Sequence, residues 1–296
     1  MCDEITAKEA EAYLRRKGIS RRTFTKTGLG AALGAMLPGI AFGAMKVAES
    51  DVRVTTPDGE ADAYFVHPAK GRHPAVILWP DIFGIRPAFR QMGKRLAEQG
   101  YAVLVVNPYY RNHRGPLVPG GADVIGPEVR QVVMPEARKL AGTLSPDTAV
   151  SDGRAFVKFL DAQPAVDTER KIGVMGYCMT GSYTLRLGAA MPERIGAGAS
   201  FHGGGLVTDR ADSPHLLIPK LKGGYLIAIA ENDDARQPEA KTVLREAFDR
   251  ADADAEIEVY KGTLHGWCPT DSAAYNEDLA ERAWARMQAL FARELT

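Results

Sequence analysis

A cysteine between glycines is the first feature of this 296-residue sequence that suggests chemistry. Residues 176–181 read G-Y-C-M-T-G, so Cys178 lies inside a G-x-C-x-x-G pattern, with Thr180 where the second glycine of a G-x-S-x-G pattern would stand. Glycines around a nucleophile allow a tight turn from a strand into a helix, and the N-terminus of a helix favours a thiolate. The pattern fits a nucleophilic thiol, and it also fits a buried structural cysteine beside a glycine-rich turn.

The partners that a nucleophilic thiol needs follow later in the chain. A thiol nucleophile requires a base, and the base requires a group that orients it. An acidic cluster at 231–234 follows one apolar run, and His265 follows the next. Nucleophile, acid and histidine in this chain order are typical of α/β hydrolases. The order favours the catalytic interpretation of Cys178 over the structural one.

Composition excludes several other classes of function. Lys and Arg together number 37 and so do Asp and Glu, which leaves no excess positive charge of the kind that nucleic-acid binding requires. The three cysteines, Cys2, Cys178 and Cys268, are too few and too scattered for a metal knuckle or a disulfide framework. We therefore expect no nucleic-acid partner, no metal site and no cofactor.

The elements that must position these residues alternate along the chain. Eight short apolar runs predict strands at 52–55, 63–66, 75–79, 101–106, 172–176, 195–201, 225–230 and 256–260. Helical spacing predicts helices at 87–99, 146–162, 180–190, 237–251 and 274–294. This alternation predicts an α/β fold: a doubly wound, mostly parallel sheet flanked by helices, in a single domain. Residues 109–145 are expected to pass over one edge of the active site.

The first 43 residues differ from the rest. Residues 20–26 read S-R-R-T-F-T-K, and the 19 residues after Lys26 carry no charge. A basic lead before a mildly apolar run has the layout of a targeting segment, and its glycines and Pro38 disfavour a stable membrane anchor. The string resembles the twin-arginine export signal of bacteria. We expect residues 1–43 to be a signal removed after export through the twin-arginine machinery, and residues 44–296 to be a periplasmic domain.

Five segments make the mature chain resemble the dienelactone hydrolase family of the α/β-hydrolase superfamily over residues 50–296. They are 80–85 (P-D-I-F-G-I), 107–109 (N-P-Y), 176–181, 200–204 (S-F-H-G-G) and 265–266 (H-G). The resemblance implies an α/β-hydrolase fold and a carboxylic ester hydrolase of the carboxymethylenebutenolidase type. It also implies that Cys178 is the nucleophile, His265 the base and Asp233 the orienting acid, with Asp234 as the adjacent alternative.

The resemblance assigns roles around the third predicted strand as well. Asp81 stands where the family carries an acidic residue, usually Glu, that helps to deprotonate the thiol when substrate binds. Its alternative role is to cap the helix that follows. The backbone N–H groups of Ile82 and Met179 are expected to form the oxyanion hole.

The residues around the expected substrate pocket depart from the family's pattern. Family members that act on dienelactone hold its carboxylate with arginines, one of them shortly after the catalytic histidine, whereas Trp267 and Cys268 occupy that region here. Candidate cations elsewhere are Arg86, Arg111 and Arg114. Candidate pocket residues are the aromatic side chains Tyr109, Tyr110, His202 and Trp267.

These observations predict a hydrolase of small-molecule carboxylic esters or lactones that forms a thioester acyl-enzyme on Cys178. One alternative is a thioesterase or acyltransferase that uses the same triad. Another is a periplasmic binding protein that kept the fold without turnover. Cys268 is expected to remain free or to act as a reversible protecting partner of Cys178.

Overall fold

Eight strands form one sheet within residues 45–118 and 124–295, the part of the chain that the computed structural model describes. The spatial order is β1-β2-β4-β3-β5-β6-β7-β8. The first two strand pairs in this order are antiparallel and all the others are parallel. The strands are β1 (Val47–Thr56), β2 (Gly59–Pro68), β3 (Ala75–Trp79), β4 (Ala102–Val106), β5 (Ile172–Tyr177), β6 (Ile195–Phe201), β7 (Gly224–Ala230) and β8 (Ala255–Tyr260).

The apolar runs of the sequence predict the buried central strands better than the exposed edge strand β1. Every residue of β3, β4, β5 and β6 is buried, as expected for parallel strands covered on both faces. The edge strand β1 is largely exposed and extends well beyond its predicted residues 52–55. Its polar positions pair in register with β2 across a short turn between Thr56 and Gly59. Pairing, rather than apolar content, sets the length of this hairpin.

Seven α-helices surround the sheet in the described residues. The N-caps of two of them are explained by local sequence: Ser145 accepts a hydrogen bond from the Thr148 N–H at 3.1 Å, and Asn276 accepts one from the Leu279 N–H at 3.3 Å. The helices are α1 (Pro87–Ala97), α2 (Pro127–Ala141), α3 (Pro146–Asp161), α4 (Tyr183–Ala190), α5 (Glu231–Arg236), α6 (Ala240–Arg250) and α7 (Glu277–Glu294).

Helices cover both faces of the sheet. Leu78 in β3 points into a core that contains side chains of α1 and α7, whereas its neighbour Ile77 points into a core that contains side chains of α3 and α4. This alternation follows from the two-residue period of a strand. The structure confirms the predicted doubly wound, mostly parallel sheet flanked by helices.

The segment expected to pass over the active site contains α2. Val133 and Ala137 of this helix pack in one apolar cluster with Ile82 and Phe83, which follow β3. The helix therefore lies against the end of the sheet where the carboxyl ends of the parallel strands meet.

The predicted export signal at residues 1–43 lies outside the described residues. Among the residues that are described, no helix combines the length and the apolar character that crossing a membrane requires.

Candidate active site

Cys178 lies in the tight turn that the glycine pattern predicts. Strand β5 ends at Tyr177, and a single 3₁₀ turn, Cys178–Thr180, follows at once. Cys178 has φ of +57° and is only 3% exposed. A non-glycine residue with positive φ is uncommon, and such strained backbone concentrates at functional sites. The conformation is that of a strand-to-helix nucleophile elbow.

Two glycines make this turn possible. A Cβ atom at Gly176 would lie 2.3 Å from the carbonyl oxygen of Thr180, and one at Gly181 would lie 2.6 Å from the Cα of Gly203. Real Cβ atoms do not approach backbone so closely, so both positions require glycine. The close approach of Gly203 explains why the second glycine stands at 181.

Thr180 has a structural reason to replace the more usual glycine. Its Oγ1 accepts a hydrogen bond from the Tyr177 N–H at 3.0 Å. The same hydroxyl lies 3.1 Å from the carbonyl oxygen of Trp79 and 2.9 Å from that of Pro80. Thr180 therefore ties the elbow to the end of β3, where Asp81 and Ile82 begin.

His265 is held by two consecutive residues of α5. Its Nδ1 lies 2.7 Å from Oδ2 of Asp233, and its backbone N–H donates to Oδ1 of Asn232 at 2.8 Å. The adjacent carboxylate, Asp234, accepts a hydrogen bond from Nζ of Lys241 at 2.6 Å instead. Of the two candidate acids, the structure brings Asp233 to the histidine. The role of Asn232 is not evident from its sequence context.

Two cavities meet at Cys178 and His265, and both residues line each of them. The first, here called the small cavity, has a volume of about 20 Å³ and is also lined by Asp81, Arg130 and His202. The second, here called the apolar cleft, has a volume of about 810 Å³. Its apolar lining is Ile82, Ala141, Met179, Leu206, Val207, Ile229, Ala240 and Leu244.

Asp81 is held in a buried ion cluster. Its Oδ1 and Oδ2 accept hydrogen bonds from the two terminal nitrogens of Arg86 at 2.7 and 2.9 Å, and Oδ1 also accepts one from the Phe83 N–H at 2.9 Å. Nε of Arg86 donates to Asp271 at 2.6 Å. Burial alone would lower the pKa of Arg86, but the two carboxylates raise it above its ordinary value.

This geometry corrects two expectations about the loop after β3. Asp81 does not cap α1: the carboxylate caps the turn at Phe83, and Arg86 is the residue that precedes the helix. Arg86 is 2% exposed and bound between two carboxylates, so it is not an open cation awaiting substrate. Its bidentate contact fixes Asp81 and, through it, the loop that carries Ile82.

The other two candidate arginines lie away from both cavities. Arg111 binds Asp58 and Asp152 at 2.6 Å, and Arg114 donates to the carbonyl oxygen of Glu60 at 3.3 Å. Arg130 in α2 lines the small cavity instead, with its guanidinium 5.2 Å from the centre of the Phe83 ring. The sequence analysis missed Arg130 because α2 lies in a segment without a motif.

Three of the four aromatic pocket candidates are buried packing residues that line neither cavity. Trp267 is fully buried and lies 5.3 Å from the ring of Tyr260, so it belongs to the core and not to a pocket rim. Tyr109 is 1% exposed and donates from its hydroxyl to the carbonyl oxygen of Ile82 at 2.9 Å. That hydroxyl also lies 3.5 Å from the sulfur of Met179. Tyr109 thus bridges the two loops that carry the expected oxyanion-hole groups. Tyr110 is buried beneath Thr56 and lines neither cavity.

Cys268 packs into the core that also contains Tyr177 and Trp267. Neither Cys178 nor Cys268 is disulfide-bonded, and burial raises the pKa of Cys268 well above its ordinary value. A buried thiol that resists ionisation is a poor nucleophile, which favours an inert packing role for Cys268.

His202 is the buried aromatic candidate that does reach the site. It lines the small cavity, is 1% exposed and has φ of +41°. Its ring centroid lies 4.8 Å from that of His265, and neither ring nitrogen has a hydrogen-bond partner in the part of the chain that is described. Burial first, and the nearby His265 second, lower the pKa of His202 well below its ordinary value. His202 is therefore neutral when folded.

We expect this neutral histidine to make stability depend on pH. The ordinary pKa of 6.5 applies to the unfolded chain, so the effect is absent above that pH. As the pH falls below 6.5 the unfolded chain binds a proton that the folded chain does not, and the folded state loses about 1.4 kcal/mol per pH unit. The variant His202→Asn suits the positive φ and does not titrate.

Urea unfolding at pH 7.5 and 5.5 checks this expectation. The drop in the free energy of unfolding between the two pH values should be about 1.4 kcal/mol smaller in His202→Asn than in the wild type. Any constant effect of the substitution cancels in this difference. An equal drop in both proteins would contradict the assignment.

Comparisons with known proteins agree with this architecture. A model of the dienelactone hydrolase family matches residues 61–295. A Synechocystis homologue of carboxymethylenebutenolidases is 30% identical over 237 residues, which cover 78% of this chain and 91% of the relative. The carboxymethylenebutenolidase of Rhodococcus opacus is 25% identical over 231 residues, which cover 76% of this chain and 83% of the relative.

A solved structure shows the same fold. A dienelactone hydrolase-like promiscuous phosphotriesterase from metagenomic libraries superposes with a TM-score of 0.68 at 20% identity, covering 84% of this chain and 99% of its own. The family match spans most of β2, all of β3 to β8, the elbow and His265. This chain therefore belongs to the dienelactone hydrolase family and is a hydrolase.

Proposed function

We propose that the chain hydrolyses small-molecule carboxylic esters or lactones, with Cys178 as nucleophile, His265 as base and Asp233 as orienting acid. The observation that carries the proposal is the 2.7 Å contact between Nδ1 of His265 and Asp233, made by a histidine that shares both cavities with Cys178. With Nδ1–H donated to the carboxylate, Nε2 is the nitrogen that accepts the thiol proton.

The reaction proceeds in two halves. The sulfur of Cys178 attacks the carbonyl carbon while its proton passes to Nε2 of His265, and the carbonyl electron pair moves to oxygen. When this pair returns, the C–O bond to the alcohol breaks, and the alcohol leaves with the proton from His265. Water then attacks the thioester, gives a proton to His265 and releases the acid, and the thiol regains that proton.

The backbone N–H groups of Ile82 and Met179 are proposed as the oxyanion hole. Both residues line the apolar cleft beside Cys178, and the Tyr109 hydroxyl contacts both. An oxyanion hole requires donors that are fixed before the reaction. The Thr180 link to β3 and the Asp81 contact with Phe83 supply that rigidity on either side. In this proposal Asp81 positions the loop, and it lines the small cavity together with Cys178.

Arg130 is the proposed anchor for a carboxylate on the substrate. The relative from Rhodococcus opacus is named for a lactone that bears a carboxymethylene group. Arg130 brings a guanidinium to the small cavity beside Cys178 and His265. Arginine is well suited to carboxylates because its donors match both oxygens. We therefore include substrates with a carboxylate among those to test.

The proposed function is tested with a panel of short aryl esters, lactones with and without a carboxylate, and thioesters. Turnover of oxygen esters or lactones, with a thioester acyl-enzyme seen by intact mass, is the expected result. Turnover of thioesters alone would assign the triad to the thioesterase alternative. No turnover together with ordinary thiol reactivity towards iodoacetamide would leave the non-catalytic binding protein as the interpretation.

We propose that the chain is exported by the twin-arginine route and that residues 44–296 act in the periplasm. The supporting observation is the S-R-R-T-F-T-K string before an uncharged, glycine-rich run. The double variant Arg21→Lys with Arg22→Lys should leave full-length protein in the cytoplasm, because it removes both arginines of the signal while keeping its charge. Cell fractionation followed by mass measurement checks this. Processed protein in the periplasm of the double variant would refute this route.

A further inference from the structure

The two cavities at Cys178 differ greatly in size. The small cavity, at about 20 Å³, has room only for a compact group such as a carboxylate or a water molecule, whereas the apolar cleft, at about 810 Å³, is in the range of pockets that hold drug-sized ligands. A bulky group on a substrate bound at Cys178 is therefore accommodated only in the apolar cleft.

The walls of the cleft are apolar and come from several elements. Met179 follows the nucleophile, Leu206 and Val207 come from the loop after β6, Ile229 lies near the end of β7, and Leu244 lies in α6. Burying apolar surface of a ligand against such walls is favourable because it removes that surface from water.

Five Lys, Arg and Asp side chains line the cleft: four of them form two ion pairs, and the fifth is Arg138. Lys241 lies 2.6 Å from Asp234, and Arg236 lies 3.3 Å from Asp233, which also holds His265. These pairs balance their charges within the protein. The remaining surface offers a ligand mainly apolar contacts.

A glycine borders the open space of the cleft. A Cβ atom at Gly204 would meet no other atom within 4 Å, and the residue does not have a positive φ. A Cβ atom at this position has open space around it, so we expect a larger side chain to be tolerated and to narrow the cleft. Gly126, at the start of α2, is also open and lines neither cavity, which makes it a matched control.

We propose that the apolar cleft binds an extended apolar arm of the substrate, an alkyl or aryl group attached to the acyl carbon or to the alcohol oxygen. This inference rests on the proposed function and specifies its substrate class: esters or lactones with a long apolar substituent, larger than the small cavity could hold.

The test is kcat/KM for two series of esters. One is p-nitrophenyl esters from acetate to octanoate, and the other is alkyl acetates from methyl to octyl. A methylene that enters the cleft raises kcat/KM up to about fourfold, the ratio that corresponds to about 0.8 kcal/mol. A rise with length in either series supports the proposal and shows which side of the ester carries the arm. Flat or falling values in both series would overturn it.

Paired variants tie the effect to the cleft. Gly204→Leu should lower the ratio of long-chain to short-chain kcat/KM at least tenfold, whereas Gly126→Leu should leave that ratio as in the wild type. Turnover of short esters without any dependence on length would defeat this inference and leave the proposed function standing. If the ratio of long-chain to short-chain kcat/KM is unchanged in Gly204→Leu, the cleft does not bind the apolar arm.

A binding measurement separates the two proposals when no ester is turned over. Titration calorimetry of Cys178→Ala with sodium octanoate and sodium butyrate reports on the cleft without catalysis. Octanoate should bind at least tenfold more tightly than butyrate, and Gly204→Leu should abolish the difference. Equal affinities for the two acids would overturn the inference.

Discussion

Replacement of Cys178 by alanine should lower kcat for ester hydrolysis by about 10⁴- to 10⁶-fold, the range seen when a member of a catalytic triad is removed. The side chain is 3% exposed and small, and alanine faces the same positive φ as cysteine, so the fold should persist. Steady-state turnover of a short aryl ester, with a thermal melt of each protein, measures both effects.

A matched control exists in the second described cysteine. Cys268→Ala removes the same sulfur atom from another buried position, and Cys268 lines neither cavity. This variant should keep turnover close to that of the wild type. Wild-type turnover by a folded Cys178→Ala protein would remove the triad from consideration.

The same experiment extends to His265. If thiol and imidazole act as one unit, the double variant Cys178→Ala with His265→Gln should be no slower than Cys178→Ala alone. A further loss in the double variant equal to that of His265→Gln alone would show that the two residues act independently, against the proposed proton transfer. The thioester acyl-enzyme should be visible by mass only where Cys178 is present.

The sequence predicted the parts of the site that local backbone geometry determines. The glycines at 176 and 181 are required by contacts within the elbow itself, so their pattern predicts the turn that holds Cys178. The choice between Asp233 and Asp234 could not be made in this way. Successive residues of a helix point about 100° apart, so α5 turns one carboxylate to His265 and the other to Lys241. The sequence reads as an acidic run and does not reveal that helix.

Tertiary packing determines the positions of Trp267 and Arg130, which the sequence did not predict. Trp267 follows His265 closely, yet packing against Tyr260 turns it into the core. Arg130 reaches the small cavity only because α2 packs on Ile82 and Phe83, far from it in sequence. Both outcomes depend on contacts between distant segments, which composition and spacing do not encode.

Loss of Arg86 should be the most destabilising single substitution around the site. Its guanidinium is 2% exposed and binds Asp81 and Asp271 at 2.7 and 2.6 Å. Removing one partner of a buried ion pair costs about 3–5 kcal/mol because the remaining charge is left without compensation. Here two carboxylates lose their partner. Against a total stability of about 5–15 kcal/mol, Arg86→Met should lose a large part of the free energy of unfolding.

Urea unfolding of Arg86→Met measures this cost, and Arg210→Met provides a control on the surface. Arg210 binds Asp212 with a side chain that is 75% exposed, so its replacement should leave the unfolding midpoint unchanged. The triple variant Arg86→Met, Asp81→Asn, Asp271→Asn removes all three charges and should recover most of the lost stability, because no charge is then buried alone.

If Arg86→Met unfolds with the wild-type midpoint, or if the triple variant is no more stable than Arg86→Met, the cluster does not hold the loop that carries Ile82. The reason for the recovery is electrostatic, so Arg86→Lys should fall between the wild type and Arg86→Met: it keeps the charge but cannot span two carboxylates with paired donors.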